Sequence, residues 1–298
     1  MDYIFKNISE CIMCGSSSYK VLGKRLNKSQ GHFPSNKLGV TTTVVKCRSC
    51  GLIYSNPMPI PNDFNDHYGV PPEQYWNDKY FEVDPSYFKG EIEWLEKLKP
   101  TVSGMKSLDI GAGIGKQMVA LSRYGFESYG LEPSEPFYNR AIERMDIQKS
   151  RLQNTTIEKA IYEENLFDFI SFGVVLEHLY DPAMAIAKAL SWLKPGGLIH
   201  IEVPSANWLI SRIVNLSYQF RGMDYVSNIS PMHAPYHLYE FTLDSFHKNS
   251  LQKNYKLVDS GYYVCKTFLP KIVDPVIKKV MQKTDTGMQL VVWLSKNK

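Results

Sequence analysis

The sequence predicts an α/β fold preceded by a small module that carries paired cysteines. Three observations support this prediction. The segment "MKSLDIG" (105–111) is typical of a strand, "KQMVALSRYG" (116–125) of a helix, and "GFESYGLEPSE" (125–135) of a second strand. A loop with three glycines at alternate positions joins the first strand to the helix. Two Cys-x-x-C pairs stand far upstream of that loop.

The overall composition fits a chain of this kind. Its 298 residues, 44% of them hydrophobic, leave room for one sizeable domain with an appendage or for two small domains. No stretch approaches the roughly 18–20 consecutive apolar residues of a membrane span. The segment "MDYIFKNISE" lacks the basic start and the apolar core of a secretory signal. We therefore expect a cytoplasmic protein.

The cysteines predict a metal site. Four of the five fall into two C-x-x-C pairs: Cys11, Cys14, Cys47 and Cys50. In a cytosolic chain this spacing favours tetrahedral Zn²⁺ over disulfides, and four thiolates leave no open position, so the zinc is expected to be structural. Gly15 and Gly51 follow the pairs and permit tight turns, and "TTTVVKC" (41–47) is a predicted strand of a hairpin. Cys265 stands alone and is expected to be a small buried hydrophobe.

Charge is unevenly distributed along the chain. The net charge is +4, yet residues 11–62 contain no acidic side chain. Seven basic residues occur there: Lys20, Lys24, Arg25, Lys28, Lys37, Lys46 and Arg48. Such a segment favours a phosphate-bearing partner, and a solvated surface is the alternative.

The glycine loop is not a dinucleotide fingerprint. That fingerprint needs G-x-G-x-x-G, but the third glycine position is occupied by Lys116. A nicotinamide-dependent oxidoreductase is thereby excluded. Asp109 lies two residues before the first glycine, and Glu132 ends the second predicted strand, where a carboxylate can accept hydrogen bonds from two ribose hydroxyls.

This pattern, D-x-G-x-G-x-G followed by an acid at the end of the second strand, resembles the class I S-adenosylmethionine (SAM)-dependent methyltransferases. Three later segments resemble the family in the same order: "LFDFISFGVVLEHLYDP", "ALSWLKPGGLIHIEVPS" and "HLYEFTLDSFHKNSLQKNYKLVDSGYY". The resemblance covers roughly residues 80–298. It implies a Rossmann-like seven-stranded SAM methyltransferase sheet with a small N-terminal zinc-ribbon-like module.

The resemblance also implies a set of SAM-binding residues. The glycines let the backbone approach the methionine part of SAM, Asp109 orients the loop, Glu132 takes the ribose, and Phe172 lies near the sulfonium. The full set is Asp109, Gly111, Ala112, Gly113, Gly115, Glu132, Pro133, Asn154, Ile157, Phe172 and Gly173.

The order of cysteine pairs, "CGLIYSNPMP", the tyrosine-rich "DHYGVPPEQYW" and SAM domain resembles the zinc-containing sugar methyltransferases of deoxysugar biosynthesis. This implies a small-molecule acceptor, a nucleotide-linked sugar or glycan, with His237 as general base. His178 and Tyr236 are the alternative groups for proton removal. The sugar C-methyltransferases carry Tyr-x-Glu before the histidine, where this chain has residues 234–236, so a hydroxyl or amine acceptor fits at least as well as carbon.

We expect a zinc module over residues 1–67, a linker and helix over 68–100, and the methyltransferase domain over 101–298. Residues 206–236 form an insertion whose segment "NWLISRIVNLSYQF" has helical apolar spacing. A substrate lid is one interpretation, and a permanently packed helix or a dimer contact is the other.

Two other functions remain open. Some ribosomal-RNA guanine methyltransferases also join a zinc module to a SAM domain, and the basic segment suits an RNA backbone, although the overall charge is modest for an RNA enzyme. The second alternative function is that of a binding protein with an inactive SAM domain. The intact glycine loop and Glu132 argue against this alternative.

Overall fold

The computed structural model describes residues 3–27, 40–62, 76–265, 267 and 269–297. The N-terminal part of these residues contains the strands β1 (Tyr3–Lys6), β2 (Tyr19–Asn27), β3 (Val40–Cys47), β4 (Ile53–Ser55) and β5 (Met58–Pro61). Strands β2, β3 and β4 pair antiparallel, and β1 pairs with β5. The expected strand before the second cysteine pair is therefore confirmed as β3.

Three of the described helices begin with a side-chain cap. Thr242, for example, accepts a hydrogen bond from the Ser245 backbone N–H at 3.1 Å. The helices are α1 (Asp78–Phe81), α2 (Lys89–Leu98), α3 (Lys116–Arg123), α4 (Glu135–Arg144), α5 (Pro182–Trp192), α6 (Leu209–Phe220), α7 (Leu243–Lys253) and α8 (Asp274–Thr284).

A seven-stranded sheet forms the centre of the fold, as the family resemblance implies. Its strands are β6 (Lys106–Ile110), β7 (Glu127–Leu131), β8 (Leu152–Gln153), β9 (Phe167–Gly173), β10 (Leu193–Pro204), β12 (Tyr255–Tyr263) and β13 (Gln289–Lys296). The spatial order is β8-β7-β6-β9-β10-β13-β12, with β13 antiparallel to both of its neighbours and the strands from β8 to β10 parallel.

The strand order reverses between β6 and β9, which are parallel neighbours. At such a switch point the loops after the two strands turn away in opposite directions, so a crevice opens at the carboxyl ends. The glycine loop follows β6, and a single 3₁₀ turn, Leu176–His178, follows β9. The topology therefore brings these two predicted site segments together.

The larger N-terminal sheet is not built from N-terminal residues alone. Strand β11 (Tyr239–Glu240) pairs antiparallel with β4, so the sheet of β2, β3 and β4 is completed by residues from late in the chain. Lys24 also exchanges backbone hydrogen bonds with Asp224 and Val226. The N-terminal strands thus pack directly against β11 and residues 224–226 of the later part of the chain. Most of "DHYGVPPEQYW" lies outside the described residues.

The predicted helix in residues 206–236 is present as α6. It buries Ser211, whereas Ile213 and Phe220 remain exposed. None of the helices in the described part of the chain has the length and apolar character needed to cross a membrane.

Candidate functional site

The glycine loop adopts a backbone that favours glycine at three positions. Gly111, Gly113 and Gly115 have φ values of 73°, 57° and 81°, which L-residues with a side chain rarely adopt. A Cβ on Gly111 would also lie 2.5 Å from Cγ2 of Val175. The loop therefore approaches the segment after β9 closely, and only glycine allows that approach.

Glu132 ends β7 and faces this loop. Its Oε2 accepts a hydrogen bond from the Gly113 N–H at 2.7 Å, and its Oε1 accepts one from the Ser134 N–H at 2.8 Å. The side chain is 6% exposed, and burial raises its pKa to about 7. Each oxygen keeps a further lone pair, so the carboxylate can still accept two hydroxyl protons from a ribose.

Asp109 lies in β6 opposite Ser171 of β9. The Ser171 hydroxyl donates to Asp109 Oδ1 at 3.2 Å and itself accepts a hydrogen bond from Gln117 Nε2 of α3. Burial, and secondarily the charge of Glu132, raise the pKa of Asp109 to about 7. The sequence analysis missed Ser171 and Gln117, which fix this carboxylate beside the start of the loop.

A cavity of about 230 Å³ lies next to the loop, and Gly111, Pro133, Ile157 and His178 contribute to its wall. Its wall is mainly apolar. We call it the cofactor cavity.

The other expected SAM-binding residues have different surroundings. Asn154 donates through Nδ2 to the backbone carbonyl of Glu132 at 2.8 Å, so it holds the rim. Phe172 packs fully buried in the main core, and Gly173 lies beside Gln117. Ala112 donates its N–H to the Leu131 carbonyl, which ties the loop to the end of β7.

A second cavity of about 230 Å³ lies on the other side of the segment after β9. Val174, Trp208, His233 and His237 contribute to its wall, and Arg25 reaches it from β2 of the N-terminal module. The Arg25 Nη2 lies 3.4 Å from His233 Nε2. We call this the acceptor cavity. The sequence analysis assigned neither His233 nor Arg25 to a site, because nothing in the local pattern links these distant segments.

Between the two cavities, the structure brings His178 and His237 together with Glu177. The ring centroids of the histidines are 5.1 Å apart. Glu177 Oε1 lies 3.9 Å from His178 Nε2 and 3.7 Å from His237 Nε2. His178 donates from Nδ1 to the backbone carbonyl of Tyr236 at 3.3 Å, so Tyr236 contributes its main chain, and its side chain is buried.

Burial controls the charge of this cluster. It lowers the pKa of His178 to about 4 and that of His237 to about 3, where the neighbouring His178 adds to the effect. It raises the pKa of Glu177, which is 0% exposed, to about 8. Both imidazoles are therefore neutral near pH 7.

The four paired cysteines converge as predicted. Sγ of Cys11 lies 3.6 Å from Sγ of Cys50, and the Cys14–Cys47 sulfur distance is also 3.6 Å. All four sulfurs lie within 4.8 Å of one another. A tetrahedral Zn²⁺ with bonds near roughly 2.3 Å places its sulfurs about 3.8 Å apart, so the donor set fits this ion.

The turns beside the cysteines also fit. Gly15 and Gly51 have φ values of 69° and 77°, and their N–H groups donate to the carbonyls of Cys11 and Cys47. Thr242, from the later part of the chain, donates its hydroxyl to the Cys50 carbonyl. The cysteine cluster is thus packed onto the start of α7.

The basic side chains of residues 11–62 lie at several different positions in the structure. Lys20, Lys46 and Arg48 line a third, open cavity of about 530 Å³ beside the second cysteine pair. Lys24 lies 3.9 Å from Asp224. Lys28 and Lys37 lie outside the described residues.

Comparison with known proteins supports the resemblance in the second part of the chain. A family described as a methyltransferase domain matches residues 88–259, more than half of the chain. The solved structure of a SAM-dependent methyltransferase from Archaeoglobus fulgidus superposes with a TM-score of 0.50 at 15% identity, covering 75% of this chain and 97% of that one. That similarity shows the fold alone.

Curated relatives are similar over a shorter range. The ubiquinone biosynthesis O-methyltransferase of Bradyrhizobium diazoefficiens is 32% identical over 128 residues, 41% of this chain and 49% of that protein. The protein of the same name from Acinetobacter baylyi is 24% identical over 212 residues, 63% of this chain and 88% of that protein. The chain spans about half the length of the first of these relatives.

Proposed function

The chain belongs to the class I SAM-dependent methyltransferase-domain family, and from this premise we propose that it transfers the methyl group of SAM to a small-molecule acceptor. The observation that carries the proposal is the meeting of two cavities at one cluster. His178 contributes to the cofactor cavity and His237 to the acceptor cavity. A methyl group passing from one to the other crosses the Glu177–His178–His237 cluster.

The chain's own residues supply binding and positioning. Gly113 and Glu132 hold the amino-acid and ribose parts of the cofactor, and Asp109 fixes the loop that carries them. SAM supplies an already activated methyl group on a sulfonium, so what remains is in-line placement of the acceptor and removal of its proton. We propose that the proton of the acceptor passes to the Glu177–His178–His237 cluster, and that His237 is the member of the cluster that faces the acceptor.

A nucleotide-linked sugar is the acceptor class that we propose. A cavity of about 230 Å³ accommodates a single ring, and Arg25 at its wall suits an acceptor that carries phosphate. The relatives are named as O-methyltransferases, which supports transfer to oxygen. The resemblance of the N-terminal half to sugar methyltransferases supports the sugar.

We further propose that the four cysteines bind a structural zinc ion. The sulfur geometry and the glycine turns support this assignment, and the ion would hold the module against α7. Its catalytic participation is not expected, since four thiolates fill the coordination shell.

The proposal is tested with SAM carrying a labelled methyl group. The full chain is incubated with nucleotide-linked sugars, with hydroxylated precursors of ubiquinone biosynthesis, and with short RNA hairpins. Label in the sugars supports the proposed acceptor class. Label in the ubiquinone precursors alone retains small-molecule methyl transfer and rejects the sugar, whereas label in RNA alone rejects both. SAM binding without label in any class supports the inactive binding protein.

A further inference from the structure

Glu177 has surroundings that a buried carboxyl group rarely has. Its side chain is fully buried, and neither oxygen accepts a hydrogen bond from the residues that the structure describes. No described lysine or arginine forms an ion pair with it. An unpartnered buried carboxylate costs several kcal/mol, on the order of 2–7 for a neutral polar group and more for a charged one. The burial of Glu177 without hydrogen bonds therefore indicates that a ligand binds its carboxylate.

The nearby histidines do not satisfy Glu177 by themselves. The distances of 3.7 and 3.9 Å from Oε1 to the two Nε2 atoms exceed hydrogen-bonding range. The Tyr236 carbonyl only accepts, so Nδ1 of His178 carries the proton and Nε2 of the neutral ring carries a lone pair. When Glu177 is ionised, electron-pair donors thus face each other across a small gap.

A second acidic residue acts on the cluster. Glu202 of β10 raises the pKa of Glu177 through its charge, in addition to burial. The donor atoms of Glu177, His178 and His237 all lie within 4.8 Å of one another. Two imidazole nitrogens and one carboxylate oxygen are a ligand set that first-row divalent cations accept, with open positions remaining.

We propose that Glu177, His178 and His237 bind one first-row divalent cation, whose open positions face the acceptor cavity. The site is separate from the four-cysteine cluster and takes nitrogen and oxygen donors only. This inference rests on the proposed function in one respect, that the bound acceptor supplies an oxygen ligand. In the cation-bound form His237 is a ligand rather than the proton acceptor. The cation makes the acceptor hydroxyl more acidic, and the hydroxyl proton passes to solvent water.

The test uses Mn²⁺ alone as the probe, because Mn²⁺ favours oxygen and nitrogen over thiolate ligands. The full chain, with its cysteine cluster loaded with zinc, is titrated with Mn²⁺ and the free ion is followed by electron paramagnetic resonance. We expect one Mn²⁺ per chain. Glu177→Gln and His178→Asn should each weaken this binding at least about 10–100-fold, the range that loss of even an outer partner of a metal ligand costs.

His247→Ala is the matched control, since His247 is exposed on α7. Its Mn²⁺ affinity should equal that of the unmodified chain. Circular dichroism and thermal unfolding verify that Glu177→Gln is folded. Absence of Mn²⁺ binding by the unmodified chain, or equal binding by Glu177→Gln, overturns the proposal.

One outcome separates this proposal from the proposed function. If the chain binds no Mn²⁺ and Glu177→Gln weakens SAM but not its demethylated product, the carboxylate balances the sulfonium charge instead. The cation site is then wrong, while methyl transfer stands. Conversely, Mn²⁺ binding with no labelled product in any acceptor class retains the cation site and removes the methyl-transfer proposal.

Discussion

The cofactor cavity and the acceptor cavity differ in how their polar groups are held. On the cofactor side, Glu132 and Asp109 each receive hydrogen bonds from nearby backbone or hydroxyl groups. On the acceptor side, Glu177 and the Arg25 Nε receive or make none with the described residues. The first region draws mainly on consecutive segments, residues 109–134, with Ser171 of β9 added, whereas the second is assembled from segments far apart in the chain. The carboxylates on the cofactor side are already held in place by hydrogen bonds. The polar groups on the acceptor side gain hydrogen bonds only when a ligand binds.

Loss of the zinc ligands should have the largest effect, and it should fall on the acceptor side. Structural zinc contributes on the order of 10 kcal/mol of apparent binding free energy in zinc-finger peptides. Cys47→Ser should therefore lower the melting temperature sharply and abolish turnover, because Arg25 is positioned by the same module. Metal analysis and thermal unfolding measure this, with Cys265→Ser as the control that keeps its zinc. A chain that folds and turns over normally without zinc contradicts the structural role.

His237→Ala should separate the two regions most cleanly. The rate of methyl transfer should fall by roughly 10²–10⁴, the usual contribution of a positioned proton-transfer group. SAM affinity should stay nearly constant, since His237 lies outside the cofactor cavity. Single-turnover rates and calorimetry provide the two readings. Equal losses in the rate of methyl transfer and in SAM affinity would show that the two cavities are not independent.

Glu132→Ala should produce the opposite result. Removal of a charge-assisted acceptor for the ribose should cost about 1.5–3 kcal/mol of SAM binding. Calorimetry measures the loss, and Glu135→Ala, an exposed glutamate on the next helix, is the matched control. Unchanged SAM affinity in Glu132→Ala would refute the ribose assignment.

The smallest expected effect is a pH dependence on the cofactor side. Burial raises the pKa of Glu132 to about 7, and hydrogen bonds from ribose hydroxyls favour the ionised form. SAM affinity should therefore be greatest above pH 7 and fall by at most about tenfold per pH unit below it. Glu132→Ala should flatten this profile, and any slope that remains belongs to Asp109, whose pKa is also about 7. A profile that is flat in the unmodified chain contradicts the raised pKa.

The same contrast explains what the sequence could predict. The glycine loop and Glu132 form a contiguous pattern whose spacing is set by a strand, a turn and a helix, so their contact was predictable. The convergence of the four cysteines was predictable because two C-x-x-C pairs are typical of a zinc site. The contact between His178 and His237 followed only from family resemblance.

The remaining features depend on tertiary packing. Glu177 is polar in sequence but fully buried in the fold, and no local pattern reveals that burial. Arg25 and His233 meet because β2 packs beside residues from the insertion. Cys265, expected to be a small buried hydrophobe, is half-buried and donates to Gln289 at 3.3 Å.

The short pairing of β11 with β4 has a consequence for synthesis. Tyr54 of β4 pairs with Tyr239 of β11. The edge of the N-terminal sheet therefore remains unpaired until the ribosome has added Tyr239, on the order of ten seconds or more after Tyr54. During that interval β4 presents an unpaired edge, which is a template for association between nascent chains. Any chain that is released before residue 239 keeps this edge open, and aggregation of such fragments should begin there.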